Sequence, residues 1–510
     1  MNTMDETRTS DYVVIGAGSA GSVIARRLLD AGHSVHIIEA GGKDEDPHIH
    51  SPQGWPMLMQ GPTDWALTTT PQVHADTRTI AWPRGKVLGG SGSLNGMIYI
   101  RGHRSDYDKW AAAGCEGWSW EDVLPLFKRS EDHEDGETEF HGAGGPLHVE
   151  KITHRHASSE AFVQAAGSVG ISETLDFNGA HMSGAGFNHT TTKDGRRHSP
   201  WRAFIQPILG HDRLTVTTDA LVHRIIVEAG RATGVEFSTD AGTRIARAEA
   251  EIVLCGGAIG SPAILQHSGI GDTADLAEAG IDSVLELPGV GKNLHDHVLA
   301  SVIYEAPEAL AEGRHNLLEA QLFAHSRQTE EQAPDIQPLF MHFPYPTDGG
   351  DAPAAGFTIN AGIVRPRSRG TLRVTSPDPK VAPLLDPNLL ADEYDLEALC
   401  DAIELCREIG AQEALAPYRK GDFNPSGPLT TRDQVRAHAR AMAGTYHHQA
   451  GTCRMGTDDL SVVDPQLRVR GVAGLRVADA SIMPAVPSGN TNAPTIMIGE
   501  KAADLLLLSR

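Results

Sequence analysis

Three glycines at the start of the chain have the spacing to hold a phosphate group. Gly16-x-Gly18-x-x-Gly21 lies between an apolar run ending at Ile15 and a segment with helical spacing. Glu39 closes the next apolar run. Gly16 permits a tight turn, Gly18 lets a pyrophosphate approach the backbone, and Gly21 lets helix and strand pack closely. A helix N-terminus facing negative phosphates and an acid at the second strand end suit a dinucleotide with an unphosphorylated ribose. NAD and FAD both fit, and the motif does not choose between them. A second kind of chemistry is suggested by His48-x-His50, His154-x-His156 and His295-x-His297. On a strand each pair would share one face and could chelate zinc. No coherent third ligand accompanies them, so no metal is expected.

The elements that must position these residues read as α/β at both ends. DYVVIGAG, SAGSVIARRLLDAG and SVHIIEAGG give strand, glycine turn, helix and strand, a unit that begins a parallel sheet. The stretches 214–227 and 230–239 read as strands joined by a turn. Segment 251–257 reads as a buried strand, with a helix following from Ser261. IQPLFMHF looks strand-like, 391–415 has helical spacing, and 129–146 reads as an exposed acidic loop. Near the C-terminus come strand LRVADAS, a Pro/Gly/Asn-rich loop and helix PTIMIGEKAADLLLL.

Composition bounds the answer. The 510 residues carry 43 basic and 66 acidic side chains, a net charge of −23, which argues against nucleic acid or an anionic membrane as partner. Apolar residues at 40% are enough for a sizeable core. Five scattered cysteines, none in a CxxC pair, indicate neither a disulfide framework nor a thiolate zinc site. The opening MNTMDETRTS is not a secretory signal, and no apolar run is long enough to span a bilayer, so a cytoplasmic protein is expected.

Four further motifs decide between the dinucleotides. They are RGKVLGGSGSLNGMIYIRGHRSDYDK (84–109), GGAIGSPAILQHSGIG (256–271), TYHHQAGTCRMG (445–456) and RVADASIMPAVPSGNTNAPTIMIGEKAADLL (476–506). With the glycine turn they resemble the glucose–methanol–choline (GMC) family of FAD-dependent alcohol oxidoreductases, in order and over nearly the whole chain. Both family signatures are matched, at 85–107 and 257–271.

The resemblance implies a doubly wound, Rossmann-like FAD domain and a substrate domain with a mainly antiparallel sheet and helices. The first is expected in three parts, 1–155, 200–297 and 445–510. The second is expected at 298–444, with 156–199 contributing. FAD contacts are expected from Gly16, Gly18, Ser19, Ala20 and Gly21, and from Glu39 and Ala40. Val87, Gly90, Asn95, Gly96, Met97 and Ile98 belong to the loop laid along the flavin. Val222, Asp479, Ala480, Asn490 and Thr491 complete the set. Where some members carry a flavin-linking histidine this chain has Leu94, so the FAD is expected to be non-covalent.

The family pattern HxxGT makes His448 the expected general base, and a neutral imidazole suits removal of a hydroxyl proton. Asn492 matches the position of its partner, with Asn490 two residues away as the other candidate. Either asparagine could also cap the helix that begins near Pro494. His297, His342 and the adjacent His447 are expected at the substrate pocket. Oxidation of an alcohol to a carbonyl follows, by hydride transfer to flavin N5, with oxygen or another acceptor taking the electrons. Choline-oxidising members place a carboxylate where this chain has Leu299, and only 5% of residues are aromatic. A neutral or weakly polar alcohol (a polyol, sugar or hydroxymethyl-arene) is therefore expected in place of choline. A choline-type or aryl-alcohol oxidase is the alternative, with a hydroxynitrile lyase on the same fold as a remote one.

Overall fold

The structure is a computed structural model that describes residues 5–509. It opens with strand β1 (Asp5–Ile15), helix α1 (Ser19–Asp30) and strand β2 (Val35–Ile38). Tyr12–Ile15 and Val35–Ile38 are buried on both faces, as parallel strands covered by helices must be. The sheet they begin runs in the order Leu214–Thr217, β2, β1, Gly242–Leu254, Arg231–Thr239, Leu221–Glu228. Strand Leu475–Val477 joins it in parallel at Ile252–Leu254, so the chain's end returns to the sheet its beginning started. Helix α1 packs on the C-terminal helix Asn492–Leu508, and one apolar core takes in both ends of the chain. Gly499 lies so near α1 that a Cβ there would be 2.9 Å from the Ala20 carbonyl oxygen.

A second sheet runs Gly421–Asn424, Val298–Glu305, Gly356–Ile363, Leu339–Met341, Ala320–Phe323, Gly184–Phe187, with Gly444–Thr445 also on Val298–Glu305. Its pairings are antiparallel. Helix Glu393–Gly410 covers it and shares its separate apolar core. The fold is thus the mixed α/β arrangement the motifs imply.

Several elements differ locally from expectation. The stretch 214–227 is two strands, broken where Asp219 takes a left-handed φ of 53°. Strand Gly242–Leu254 starts well before the apolar run, because its polar first half returns as a hairpin on Arg231–Thr239 while also pairing with β1. Segment 129–146 is not simply an exposed loop. Helix Trp120–Ser130 runs into strand Glu131–His133, and Glu131, His133 and His141 are buried.

Candidate active site

The three glycines of the first turn have three separate physical roles. Gly16 has φ 101°, and a Cβ on it would lie 2.5 Å from the Cys255 carbonyl oxygen. A Cβ on Gly21 would lie 2.1 Å from the Gly16 oxygen, so this glycine fixes helix against strand. Gly18 meets nothing within 4 Å, because it faces a cavity of about 430 Å³. It is also the N-cap of α1 and offers no side-chain cap, which leaves the first N–H groups of the helix for a ligand.

The same cavity is walled by Ser19 and Ala20, then by Glu39, Ala40 and Val222. Further along come Gly90, Asn95, Gly96, Met97 and Ile98 on one side. Asp479, Ala480, Asn490, Thr491 and Asn492 stand on another. Glu39 is held by the N–H groups of Ala17 and Gly41, each at 2.9 Å, yet burial outweighs these bonds and lifts its carboxyl to about 7. Asp479 accepts from Gly257 N–H (2.8 Å) and Ser261 Oγ (2.6 Å), tying the 257–271 motif to the C-terminal one.

At the other end of the cavity stands His448. Its Nδ1 lies 3.0 Å from Nδ1 of His297, and its Nε2 lies 3.3 Å from Nδ2 of Asn490. Its backbone N–H donates to Asp296 Oδ1 at 2.8 Å. Asp296 also receives the Thr445 hydroxyl (2.5 Å) and the Gln449 amide (2.9 Å), so one buried carboxylate braces the 445–449 loop. Burial lifts that carboxylate to about 6. Burial also holds His448 well below the usual histidine range, helped by nearby His297, His447 and Arg84. His297 sits at about 3 for the same first reason. Tyr446 stacks on the His448 ring, with centroids 5.0 Å apart.

Five expectations need correction. The asparagine beside His448 is Asn490. Asn492 instead donates to Ser19 Oγ at 2.8 Å, because it opens the C-terminal helix that packs against α1. Neither asparagine caps that helix; the N-cap is Thr491, without a side-chain bond. His297 is no pocket wall: it is wholly buried behind His448. His342 is also turned away. It follows Met341, whose side chain lines the cavity, so strand alternation points the imidazole to the opposite face, where it stacks on His156 at 4.5 Å. Val87 packs with Ile49, Leu58 and Leu94 and does not wall the cavity. His447 does line it, with φ 65° and its carbonyl held by Arg84 at 2.7 Å.

The His-x-His pairs do not converge. His48 bonds Asp46, His50 accepts from Arg202, and His295 is used at both nitrogens by Asn293 O and Val486 N–H. Among the described residues, His133, His141 and His189 bring ring nitrogens within 4.8 Å of one another. Their hydrogen bonds already use those atoms. Asp135 N–H donates to His133 Nδ1, so Nε2 carries the proton and points it at His189 Nδ1, 3.3 Å away. His141 lies between Glu131 (3.0 Å) and Asp176 (2.9 Å).

Residues missed from the sequence include Asp296, read only as the middle of a histidine pair, and Arg84, Gln337 and Gln321. The last two are glutamines in otherwise apolar strand-like runs, fully buried, and that contrast was the available signal.

Comparison with known proteins gives the family. Family models described as GMC oxidoreductase match residues 10–299 and 366–499. An oxygen-dependent choline dehydrogenase from Rhizobium etli is 39% identical, covering 98% of this chain and 95% of its own. An alcohol dehydrogenase [acceptor] from Pseudomonas putida is 38% identical over the same shares. Among solved structures, pyridoxine 4-oxidase from Mesorbium loti superposes with TM-score 0.93 at 34% identity, covering 97% of this chain and 98% of that one. A fungal aryl-alcohol oxidase shares the fold at TM-score 0.86 and 21% identity, covering 98% and 99%. The chain belongs to the GMC oxidoreductase family. It is an FAD-dependent enzyme of the alcohol dehydrogenase and oxidase type. No helix among the described residues is long and apolar enough to cross a membrane.

Proposed function

We propose that this enzyme oxidises a neutral, weakly polar primary alcohol, with a hydroxymethyl-arene the best fit, and that His448 is its general base. The observation that carries the reading is the composition of the cavity beside His448. Its walls there are Trp55, Leu318, Met341, Tyr345, Tyr446 and Leu299, which pack as one apolar cluster. The acidic residues among the described cavity walls are Glu39 and Asp479, both in the dinucleotide cradle. A cation carried into such a site would lose its hydration without gaining a counter-charge.

FAD, held by the glycine turn, Glu39 and the 90–98 loop, supplies the hydride acceptor. The rest is the work of the chain. Nε2 of His448 takes the hydroxyl proton, the Asn490 amide orients the same oxygen, and the apolar walls exclude water. Burial keeps His448 unprotonated at neutral pH, as a base requires. Likeness to pyridoxine 4-oxidase supports an aromatic alcohol.

A second reading has its own support. The Trp55 ring centroid lies 6.3 Å from those of Phe343 and Tyr345, and Trp55, Tyr345 and Tyr446 line the cavity, where they could face an ammonium group. The choline dehydrogenases among the relatives favour it. Anaerobic bleaching of the flavin by pyridoxine, benzyl alcohol, aliphatic alcohols, sugars and choline separates the two. Fast bleaching by a neutral aromatic alcohol is expected, and fast bleaching by choline alone would overturn the proposal.

A further inference from the structure

We propose that Gln337 is a positioning residue for the base: its amide fixes the direction of the Asn490 amide and so keeps the proton off Nε2 of His448. The inference rests on the reading of His448 as the base.

A base that receives a proton at Nε2 must carry its own ring proton on Nδ1. The hydrogen-bond chain around His448 enforces this, link by link. Gln321, on strand Ala320–Phe323, and Gln337, just before strand Leu339–Met341, are both fully buried. The Gln337 NH2 group donates to Gln321 Oε1 (2.7 Å) and to Asn490 Oδ1 (3.1 Å), which uses both of its hydrogens. With its oxygen held, Asn490 turns its NH2 to His448 Nε2 (3.3 Å), so that nitrogen must offer a lone pair. The His448 proton therefore sits on Nδ1 and donates to His297 Nδ1 at 3.0 Å. The arrangement leaves Gln321 Nε2, Gln337 Oε1 and His297 Nε2 buried without partners. Buried amides left without a partner are costly. Two glutamines kept at that cost in an apolar sheet act on what they hold, and what they hold is Asn490. Gln337 is itself anchored at both backbone groups, by Gly362 O (2.8 Å) and the Tyr446 hydroxyl (2.9 Å).

The near-isosteric variant Gln337→Glu inverts the chain. An ionised carboxylate accepts where the amide donated, so Asn490 turns its NH2 away from His448 and presents Oδ1. The ring then carries its proton on Nε2 and cannot act as base. Protonation of the carboxyl restores a donor. In holoenzyme labelled with 15N-histidine, with His448 assigned by difference from His448→Ala, the ring-nitrogen shifts read the tautomer without any substrate. The expected result is the Nδ1–H form in wild type and the Nε2–H form in Gln337→Glu at about pH 8.5, reverting as pH falls. Anaerobic flavin reduction by pyridoxine or benzyl alcohol should fall at least about tenfold at the higher pH and recover at the lower one. This drop is smaller than the 10²–10⁴-fold expected for losing the base outright. Gln337→Leu should lose rate at every pH, with FAD still bound. An unchanged tautomer in Gln337→Glu, or wild-type reduction rates in both variants, would overturn the proposal. Failure of the base reading has a different signature: His448→Ala then reduces its flavin normally, whatever the tautomer spectrum shows.

Discussion

Nδ1 of His448 and Nδ1 of His297 face each other at 3.0 Å, and both rings are held far below their ordinary titration range by burial. Two imidazoles joined in this way share one proton, and neither is charged at neutral pH. His297 therefore serves as the acceptor that steadies the tautomer of His448 from behind the pocket. It does so from the residue just before strand Val298–Glu305, while Asp296 beside it grips the His448 backbone.

Replacement of His448 by Ala should lower the rate of anaerobic flavin reduction by about 10²–10⁴-fold with FAD retained. Stopped-flow absorbance measures both. The sign of the pH dependence follows from burial. A base whose pKa is lowered stays unprotonated as pH falls through the ordinary histidine range near 6.5, so the acid limb of kcat/KM should lie well below that value. An acid limb at 6.5 or above would assign the titration to another group. His297→Leu leaves the Nδ1 proton without an acceptor and should slow reduction by a smaller factor.

The glycine turn allows a paired prediction. Gly18→Ala adds a methyl group into open cavity at φ −74°, which any residue adopts, so the protein should fold and bind FAD more weakly. Gly21→Ala puts a Cβ 2.1 Å from a backbone oxygen of the same turn, and it should reduce soluble protein or thermal stability, with FAD loss following from that. Visible absorbance per chain and melting temperature, measured together, separate the two effects. Equal behaviour of the two variants would contradict the separate roles.

Which parts could be read from the sequence depends on how local their signals are. The β1–α1–β2 unit and its glycines are a contiguous pattern of spacing and turn chemistry, and the structure places Gly16, Gly18 and Glu39 as that pattern requires. The motif around His448 is contiguous too, and the structure places this residue at the cavity. The errors share a different cause. Asn490 and Asn492 are two residues apart at a loop–helix junction, and which one reaches His448 is decided by how the C-terminal helix docks on α1, a contact across 473 residues of sequence. His342 was expected at the pocket from the resemblance, but it follows the last residue of a three-residue strand whose Met341 faces the cavity, a local orientation that a motif match does not carry. Gln337 and Gln321 take their meaning only from each other, across two strands.

Acid precipitation of the yellow holoenzyme should release its flavin to the supernatant. Leu94 stands where a linking histidine would be needed, and its side chain reaches the cavity wall while packing with Ile49, Leu58 and Val87. Leu94→His alone is expected to leave the flavin dissociable, because the replaced side chain would have to leave that apolar cluster. Flavin retained on the wild-type pellet would show a covalent link through another residue.

The buried network around His141 should make stability depend on pH on the alkaline side. Burial opposes a charge on this ring, but its hydrogen bonds to Asp176 and Glu131 prevail and hold it up at about 9, while Asp176 is held down at about 2. For His141 the folded value lies above the ordinary 6.5, so its stabilisation is complete below about pH 6.5 and is lost as pH rises through about 9. For Asp176 the folded value lies below the ordinary carboxylate value, so its share is complete above about pH 4 and is lost as pH falls through about 2. Between these limits the pair is fully formed, which covers neutral pH. Urea midpoints of the holoenzyme at about pH 6.5, 8 and 9.5 should fall across the series. His141→Gln keeps a neutral donor and acceptor in place, so its midpoint should start lower at pH 6.5 and change less up to pH 9.5. A variant that loses stability with pH as steeply as wild type would show that the alkaline loss arises elsewhere in the chain.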